Sequence, residues 1–429
     1  MTTDPKPETD IYTRRESEAR SYCRSFPVEF AAARNATLTD RDGREYIDFL
    51  AGCSSLNYGH NDPDMKAALV DYIASDGITH ALDMHTGPKA AFLETFERLI
   101  LKPRGMDHKV MMTGPTGTNA VEAAMKLARK VTGRETVIAF SNGFHGMTMG
   151  ALAATGNAGK RGGGGMSLHG VTRMPFEGAI EGVDSLAYIT AMLENPSGGI
   201  DAPAAFLIEP VQGEGGLNAA SAGFLKGIAA LAKKHGALLI ADDIQSGIGR
   251  TGPFFSFEGM GIEPDLIPLA KSLSAYGLPF AALLIRPDLD IWKPAEHNGT
   301  FRGNTHAFVT ARVALEKFWA DDAFQKQTEA KAAVLTERLK RIADLIPGAR
   351  VKGRGMMQGV DVGSGALAAD ICARCFAEGL VIETSGAHDE VVKVLAPLTI
   401  PQAQFEAGLD IIEAAAQDAV SETTRIAAE

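Results

Sequence analysis

Apolar residues in this chain gather into short runs separated by stretches of helical spacing. Val137–Phe140 and Ala281–Ile285 are continuous apolar runs of strand length, and Ala204–Glu209 and Ala237–Asp242 are similar runs that end in a carboxylate. Leu266–Leu269 is a further run, two residues before Lys271. Between the runs the period changes. Gly114–Gly133 carries Val121, Ala124, Met125, Ala128 and Val131 on one helical face, with Gly133 placed as the left-handed stop. Ala222–His235 reads as a second helix, stopped by Gly236. Apolar strands alternating with helices predict an α/β fold: a mostly parallel, doubly wound sheet with helices on both faces.

The ends of the chain read differently. Residues 1 to about 20 are polar and charged, and predict a flexible tail or a short helix. A hairpin is expected around Asp42-Gly43, followed by a helix near Asp64 to Ser75. After about Thr310 the pattern predicts a long helix over 310–345, a helix over 366–378 stopped at Gly379, strands at 380–384 and 391–396, and a closing helix from Pro401 to about Val420. The expected organisation is an N-terminal lobe (1–60), a large α/β domain (61–310) and a smaller α+β domain (311–429). A chain of 429 residues exceeds one ordinary core, which agrees with that division. The glycine cluster Gly162–Gly165 is a candidate mobile loop. It is not a nucleotide loop, because Ala154 and Arg161 stand where such a loop needs glycine and a hydroxyl.

Composition narrows the function classes. Hydrophobic residues at 45% and charged residues at 22% fit a soluble globular protein. A net charge of -11 argues against nucleic acid, whose phosphates call for a basic face. No run approaches the ~18 apolar residues of a membrane span, and the polar start has no apolar signal region. A cytoplasmic protein with no membrane partner is expected. Four cysteines do not make a disulfide framework, and Cys372 and Cys375 read as two thiols on one helix face, without the second pair a zinc site needs. No metal is expected.

The chemistry concentrates between Leu238 and Lys271. One strand ends at Asp242 and Asp243, and the next ends at Lys271. Ligands of doubly wound sheets sit beyond the C-terminal strand ends, so Glu209, Asp242 and Lys271 point to one crevice. An isolated Asp-Asp also caps turns, and most lysines are surface residues. The agreement of three strand ends carries the assignment. Gly117 and Thr118 open the helix of Gly114–Gly133, where free N–H groups and the dipole suit a phosphate; a plain cap is the commoner meaning of such a turn.

With these residues, the chain resembles the class III (ω-) aminotransferases, which use pyridoxal 5'-phosphate (PLP). The resemblance runs from about Pro27 to Ile400 and includes Ser141–Gly146, Glu209–Gly216, Asp242–Gln245, Lys271 and His297–Asn304. Ser21–Pro27, Asp76–His80, Thr113–Ala123 and Trp292–Asn304 sharpen it toward one branch. It implies the PLP fold-type I architecture, like aspartate aminotransferase, with a central seven-stranded sheet. It also implies small amino-acid and aldehyde substrates. Lys271 would bind the cofactor covalently and Asp242 would pair with its ring nitrogen. Phe144 would lie on the ring face beside His145, and Gln245 would reach the phenolic oxygen. Gly117 and Thr118 would hold the phosphate, and Glu209 would line the substrate side. Thr300 would reach the phosphate of a neighbouring subunit, implying a homodimer with shared sites, or a tetramer built from it. Two departures stand out. The second acid is Asp243, where the family usually has glutamate. The segment 392–400 lacks the arginine that holds a substrate carboxylate in many relatives, and Arg302 is the expected replacement. A catalytically silent binding protein on the same fold is the rival class; Lys271 and Asp242 together favour an enzyme.

Overall fold

The apolar runs become strands because each can bury both faces. Val137–Phe140, Ala205–Ile208, Leu238–Ala241, Leu266–Leu269 and Ala282–Ile285 are buried at every position of the computed structural model, which describes residues 10 to 428. They form the middle of a seven-stranded sheet whose order is 109–112, 282–285, 266–269, 238–241, 205–208, 137–140, 171–174. Ala282–Ile285 runs antiparallel to both neighbours, and the other pairings are parallel. The expected mostly parallel, seven-stranded α/β sheet is present.

Lys109–Met112 and Val171–Met174 were not anticipated as strands. Both are edge strands and only partly buried, so lysine, threonine and arginine interrupt their apolar character. Gly117–Thr132 and Ala222–His235 are helices, and Gly133 and Gly236 both end them in the left-handed conformation.

The chain's two ends pack together. The hairpin about Asp42-Gly43 pairs Thr37–Asp40 with Glu45–Asp48. Leu380–Val381 then adds to Glu45–Asp48 in parallel, so a C-terminal segment completes the N-terminal sheet. The strand expected over 380–384 is therefore two strands, since Glu383–Ser385 pairs with Val391–Val394 in a different sheet. The helix expected over 310–345 is also two, Thr305–Phe318 and Ala323–Asp344. The break falls where Trp319 turns into the core: its ring stands edge-on to Phe254 and Phe324, and its indole N–H donates to the Tyr58 hydroxyl at 2.7 Å. Asp321 accepts from the Ala323 N–H and restarts the helix. At the termini, Ile11–Arg15 is a short helix, residues 1–9 lie outside the described residues, and the closing helix spans Gln402–Ala428.

One buried cation ties these parts together. Arg250 is fully buried and donates to Ser54 Oγ at 3.0 Å, to Asn57 Oδ1 at 2.5 and 3.1 Å, to the Ala396 carbonyl at 2.6 Å and to the Met356 carbonyl at 3.3 Å. Burial pushes its guanidinium down to about 9, so the charge persists at neutral pH through these acceptors. Arg250→Ala would strand them without a donor. A loss of about 3–5 kcal/mol of unfolding free energy is expected in denaturant titration; a loss below about 1 kcal/mol would show that water replaces the guanidinium.

Candidate active site

The C-terminal ends of the central strands open into a cavity of about 510 Å³. Each functional side chain arrives one or a few residues after a strand: His145 after 137–140, Glu209 after 205–208, Asp242 after 238–241 and Lys271 after 266–269. The start of Gly117–Thr132, with Thr116, Gly117 and Thr118, supplies another wall. The Gly117 and Thr118 N–H groups at its first turn lie ahead of the helical hydrogen bonds, which begin with the Asn119 N–H donating to the Thr116 carbonyl. Asn119 Oδ1 accepts from the Thr116 N–H and hydroxyl, which fixes the turn that leads into the helix. Close approach dictates a glycine nearby: a Cβ on Gly146, whose φ is +133°, would lie 2.3 Å from Thr118 Oγ1.

The two acids separate by environment. Asp242 Oδ2 lies 2.7 Å from His145 Nδ1, and Oδ1 accepts from the Ile244 N–H. Both side chains are nearly wholly buried. Burial works against the imidazolium, but the Asp242 hydrogen bond and charge outweigh it and raise the His145 pKa. Asp243 faces away from the cavity, accepting from the Ser246 and Ser256 hydroxyls and the Ser256 N–H; burial pushes it up to about 6. The second acid thus anchors the loop that follows, and the first serves the cavity.

Glu209 accepts from the Phe144 N–H at 2.9 Å and the Gly213 N–H at 3.3 Å, so its carboxylate fixes the loop that carries Phe144. Burial pushes it up to about 7, against the charge of His145. Lys271 sits in the left-handed region at φ +51°, a conformation that costs a non-glycine residue energy and that the turn after 266–269 imposes. Burial lowers its amine below the usual lysine range, opposed by the charge of Glu214. Gln245 Nε2 donates to Glu214 Oε1 and to the Cys53 carbonyl, while its buried Oε1 has no hydrogen-bond partner among the described residues.

Of the residues singled out from the sequence, Gly117, Thr118, Phe144, His145, Glu209, Asp242, Gln245 and Lys271 line this one cavity. Thr300 and Arg302 do not. They line an adjoining cavity of about 350 Å³, which shares Pro115 and Pro279 with the first. The Arg302 guanidinium there pairs with Asp83 and donates to the His297 carbonyl.

The sequence reading overlooked the cation of the C-terminal segment. Lys393 is fully buried, with Nζ 3.0 Å from Glu214 Oε1 and 2.7 Å from Glu383 Oε1. Burial alone would lower its pKa, but the two carboxylates outweigh it and raise it. The signal was available: a lysine inside the apolar run Val391–Leu395 breaks the pattern, and a charge there has to be paired.

The family profile described as "Aminotransferase class-III" matches residues 19–416. This chain belongs to that family. The chain is 53% identical over 420 residues to the diaminobutyrate--2-oxoglutarate transaminase of Halomonas elongata, covering 96% of this chain and 100% of that one. It is 55% identical over 410 residues to the protein of the same name from Vibrio parahaemolyticus, covering 95% and 97%. Among solved structures, the ornithine aminotransferase of Toxoplasma gondii superimposes with a TM-score of 0.83 at 28% identity, covering 96% of this chain and 94% of that one. This class III aminotransferase therefore has the fold-type I architecture that its sequence implied. No helix among the described residues is long and apolar enough to cross a membrane.

The Glu214–Lys393 pair predicts an acid response. Burial opposes the Glu214 charge, but Lys393 and Lys271 hold its carboxyl at about 2, below the ordinary 4.5. A depressed carboxylate contributes stability that is fully present above about pH 4.5 and is lost as pH falls toward 2. Between pH 5 and 3 the wild-type melting midpoint should fall more steeply than that of Glu214→Gln. Parallel slopes would exclude the coupling.

Proposed function

We propose that this class III aminotransferase binds PLP and transfers the amino group of L-glutamate to the aldehyde carbon of L-aspartate 4-semialdehyde. The products are L-2,4-diaminobutyrate and 2-oxoglutarate, the first committed step of ectoine formation. The observation that carries the reading is the cavity itself. It joins a half-buried amine with no ion pair among the described residues, Lys271, to a carboxylate held by a histidine, Asp242, and to the start of a helix at Gly117. The relatives above 50% identity support the substrate pair.

The donor set fits the cofactor. A lysine with a lowered pKa can attack an aldehyde, and an anion beside the ring nitrogen favours its protonated form. The helix start suits a phosphate, and Gln245 has a buried polar end with no partner among the described residues. Once bound, PLP supplies the electron sink for removing a proton from the amine-bearing carbon. The protein does the rest. Asp242 and His145 hold charge at the ring edge. Phe144, fixed through its N–H by Glu209, offers a flat apolar surface. Lys271 Nζ takes the proton from the donor carbon and returns one to the acceptor carbon. Burial of His145, Glu209 and Asp242 keeps water from the charges at the ring edge.

Thr300 belongs to this proposal as a contribution to the phosphate of a second copy. Its segment lies at the surface, next to exposed apolar residues Phe301, Ile78, Leu82 and Met84, a patch that a partner subunit would cover. Light scattering during size exclusion should give at least twice the chain mass, and a monomer would overturn the shared-site part.

Absorption spectra test the chemistry. Purified holoenzyme should show a visible band near ~420 nm that both L-glutamate and L-2,4-diaminobutyrate bleach. Lys271→Ala should lose that band and about 10³-fold or more in turnover. A Lys271→Ala protein with band and activity intact would refute the assignment. Bleaching by ornithine or 4-aminobutyrate but not by diaminobutyrate would keep amino transfer and move the substrate elsewhere in the family.

A further inference from the structure

Beside the groups that serve amino transfer lies a second set of ionisable side chains, centred on the fully buried Lys393, that the chemistry does not use. Lys393 stands between Glu214 and Glu383, and Tyr22 and Cys53 close against them, with the Tyr22 hydroxyl 2.8 Å from Cys53 Sγ. One ammonium between two carboxylates leaves a negative charge in surplus. That surplus falls on Glu383. Its Oε1 is 2.7 Å from Lys393 Nζ but off the hydrogen-bonding direction, so it accepts no hydrogen bond. Its Oε2 is 4.0 Å from Cys53 Sγ, at the outer limit even for a weak sulfur donor. Glu214, by contrast, accepts from both Lys393 and Gln245. A mostly buried carboxylate held by one shared ammonium and one long thiol contact keeps acceptor capacity for a further cation. The cluster is also close to the chemistry: Glu214 lines the cavity with Lys271, and the charges of Glu383 and Lys393 both act on the Lys271 amine.

The substrates named above differ in the feature this cluster could read. When its terminal amine reacts, 2,4-diaminobutyrate carries an ammonium and a carboxylate together on its far carbon, and so does the matching aldehyde. Glutamate, reacting through its own α-amine, carries only a carboxylate at its far end. 4-Aminobutyrate matches diaminobutyrate except that the α-ammonium is missing.

Resting on the diaminobutyrate reading, we propose that Glu383 determines specificity by accepting the α-ammonium of the substrate, with the Lys393 charge beside it for the α-carboxylate. Binding of the zwitterion then neutralises the surplus charge and completes the hydrogen bonding of Glu383. An amine without the α-ammonium leaves Glu383 unsatisfied in a largely dehydrated place. A charged hydrogen bond made or lost on this scale corresponds to a discrimination of about 10- to 100-fold.

The test uses the PLP-loaded enzyme and follows bleaching of the visible band after rapid mixing with 2,4-diaminobutyrate or 4-aminobutyrate. Half-saturation and limiting rate are read separately. Wild type should half-saturate with diaminobutyrate at about 10- to 100-fold lower concentration than with 4-aminobutyrate. In Glu383→Gln that ratio should collapse by about tenfold or more, through a higher half-saturation for diaminobutyrate, and Glu383→Asp should restore part of it. A PLP-loaded Glu383→Gln that keeps the wild-type ratio overturns the assignment and leaves the aminotransferase reading intact. Wild type that responds equally to the two amines also overturns it, whether or not the variants fold. Wild type that bleaches with another ω-amine and not with diaminobutyrate overturns the substrate reading on which the proposal rests.

Discussion

A charge withdrawn from water must be paired or give up its proton balance, and this constraint sorts the buried ionisable groups of the protein. Asp242 is paired with His145, Lys393 with Glu214 and Glu383, and Arg250 with a ring of oxygen acceptors. Lys271 differs from all of them. It is half-buried at the cavity wall and forms no ion pair among the described residues. The paired groups fix positions. The unpaired amine is the one whose lowered pKa makes it a nucleophile and a base near neutrality.

The pairing also explains why a site at the ends of a few strands depends on the whole chain. The central sheet delivers Glu209, Asp242 and Lys271 by itself, since each follows its strand directly. The charged cluster around Glu214, at the cavity edge, is brought from the two termini. Leu380–Val381 joins the N-terminal hairpin, the chain crosses at Ile382, and Glu383–Ser385 joins Val391–Val394. That crossing sets Glu383 against Lys393. The N-terminal turn contributes Cys53 from a run of left-handed residues, 51 to 54, which Arg250 pins from below through Ser54 and Asn57. Backbone in that conformation persists only where its surroundings over-determine it.

How much of this was legible in the sequence follows from range. The buried middle strands, the helix of Gly117–Thr132 and its stop at Gly133 were readable because burial on both faces and 3.6-residue spacing are local signals. The edge strands were not, since half-burial erases the apolar run. The helix break at Trp319 was hidden because its cause is a distant aromatic cluster. The same division holds in the cavity: residues at strand ends could be placed from their own segments, and Lys393 could not. Its meaning comes from Glu214 and Glu383, and the pairing with Glu214 spans 179 positions. The arginine missing from 392–400 drew the reading toward Arg302, a cation that in this chain is already engaged by Asp83.

Two glutamates of one short segment show how completely surroundings decide chemistry. Glu209 and Glu214 are five residues apart, yet one carboxyl is raised to about 7 and the other held at about 2. Glu209 is buried and lies near the Asp242 charge, which together outweigh His145 and the backbone N–H groups it meets, so adding its own charge there is costly. Glu214 meets Lys393. Near neutral pH the first therefore sits close to its midpoint, and the second is fully ionised. Protonation of Glu209 relieves repulsion with Asp242 while the carboxyl still accepts from the Phe144 N–H. The loop under Phe144 can thus be held in place without crowding negative charge around the single carboxylate that must stay ionised. Asp242 is paired with His145, and the second cluster is kept away from it by delivery from a different sheet. The polarity around the cavity is built by segregation: Asp242 with an imidazole at one wall, Glu214 at another with Lys393 and Glu383 behind it, and the amine of Lys271 lining the same cavity.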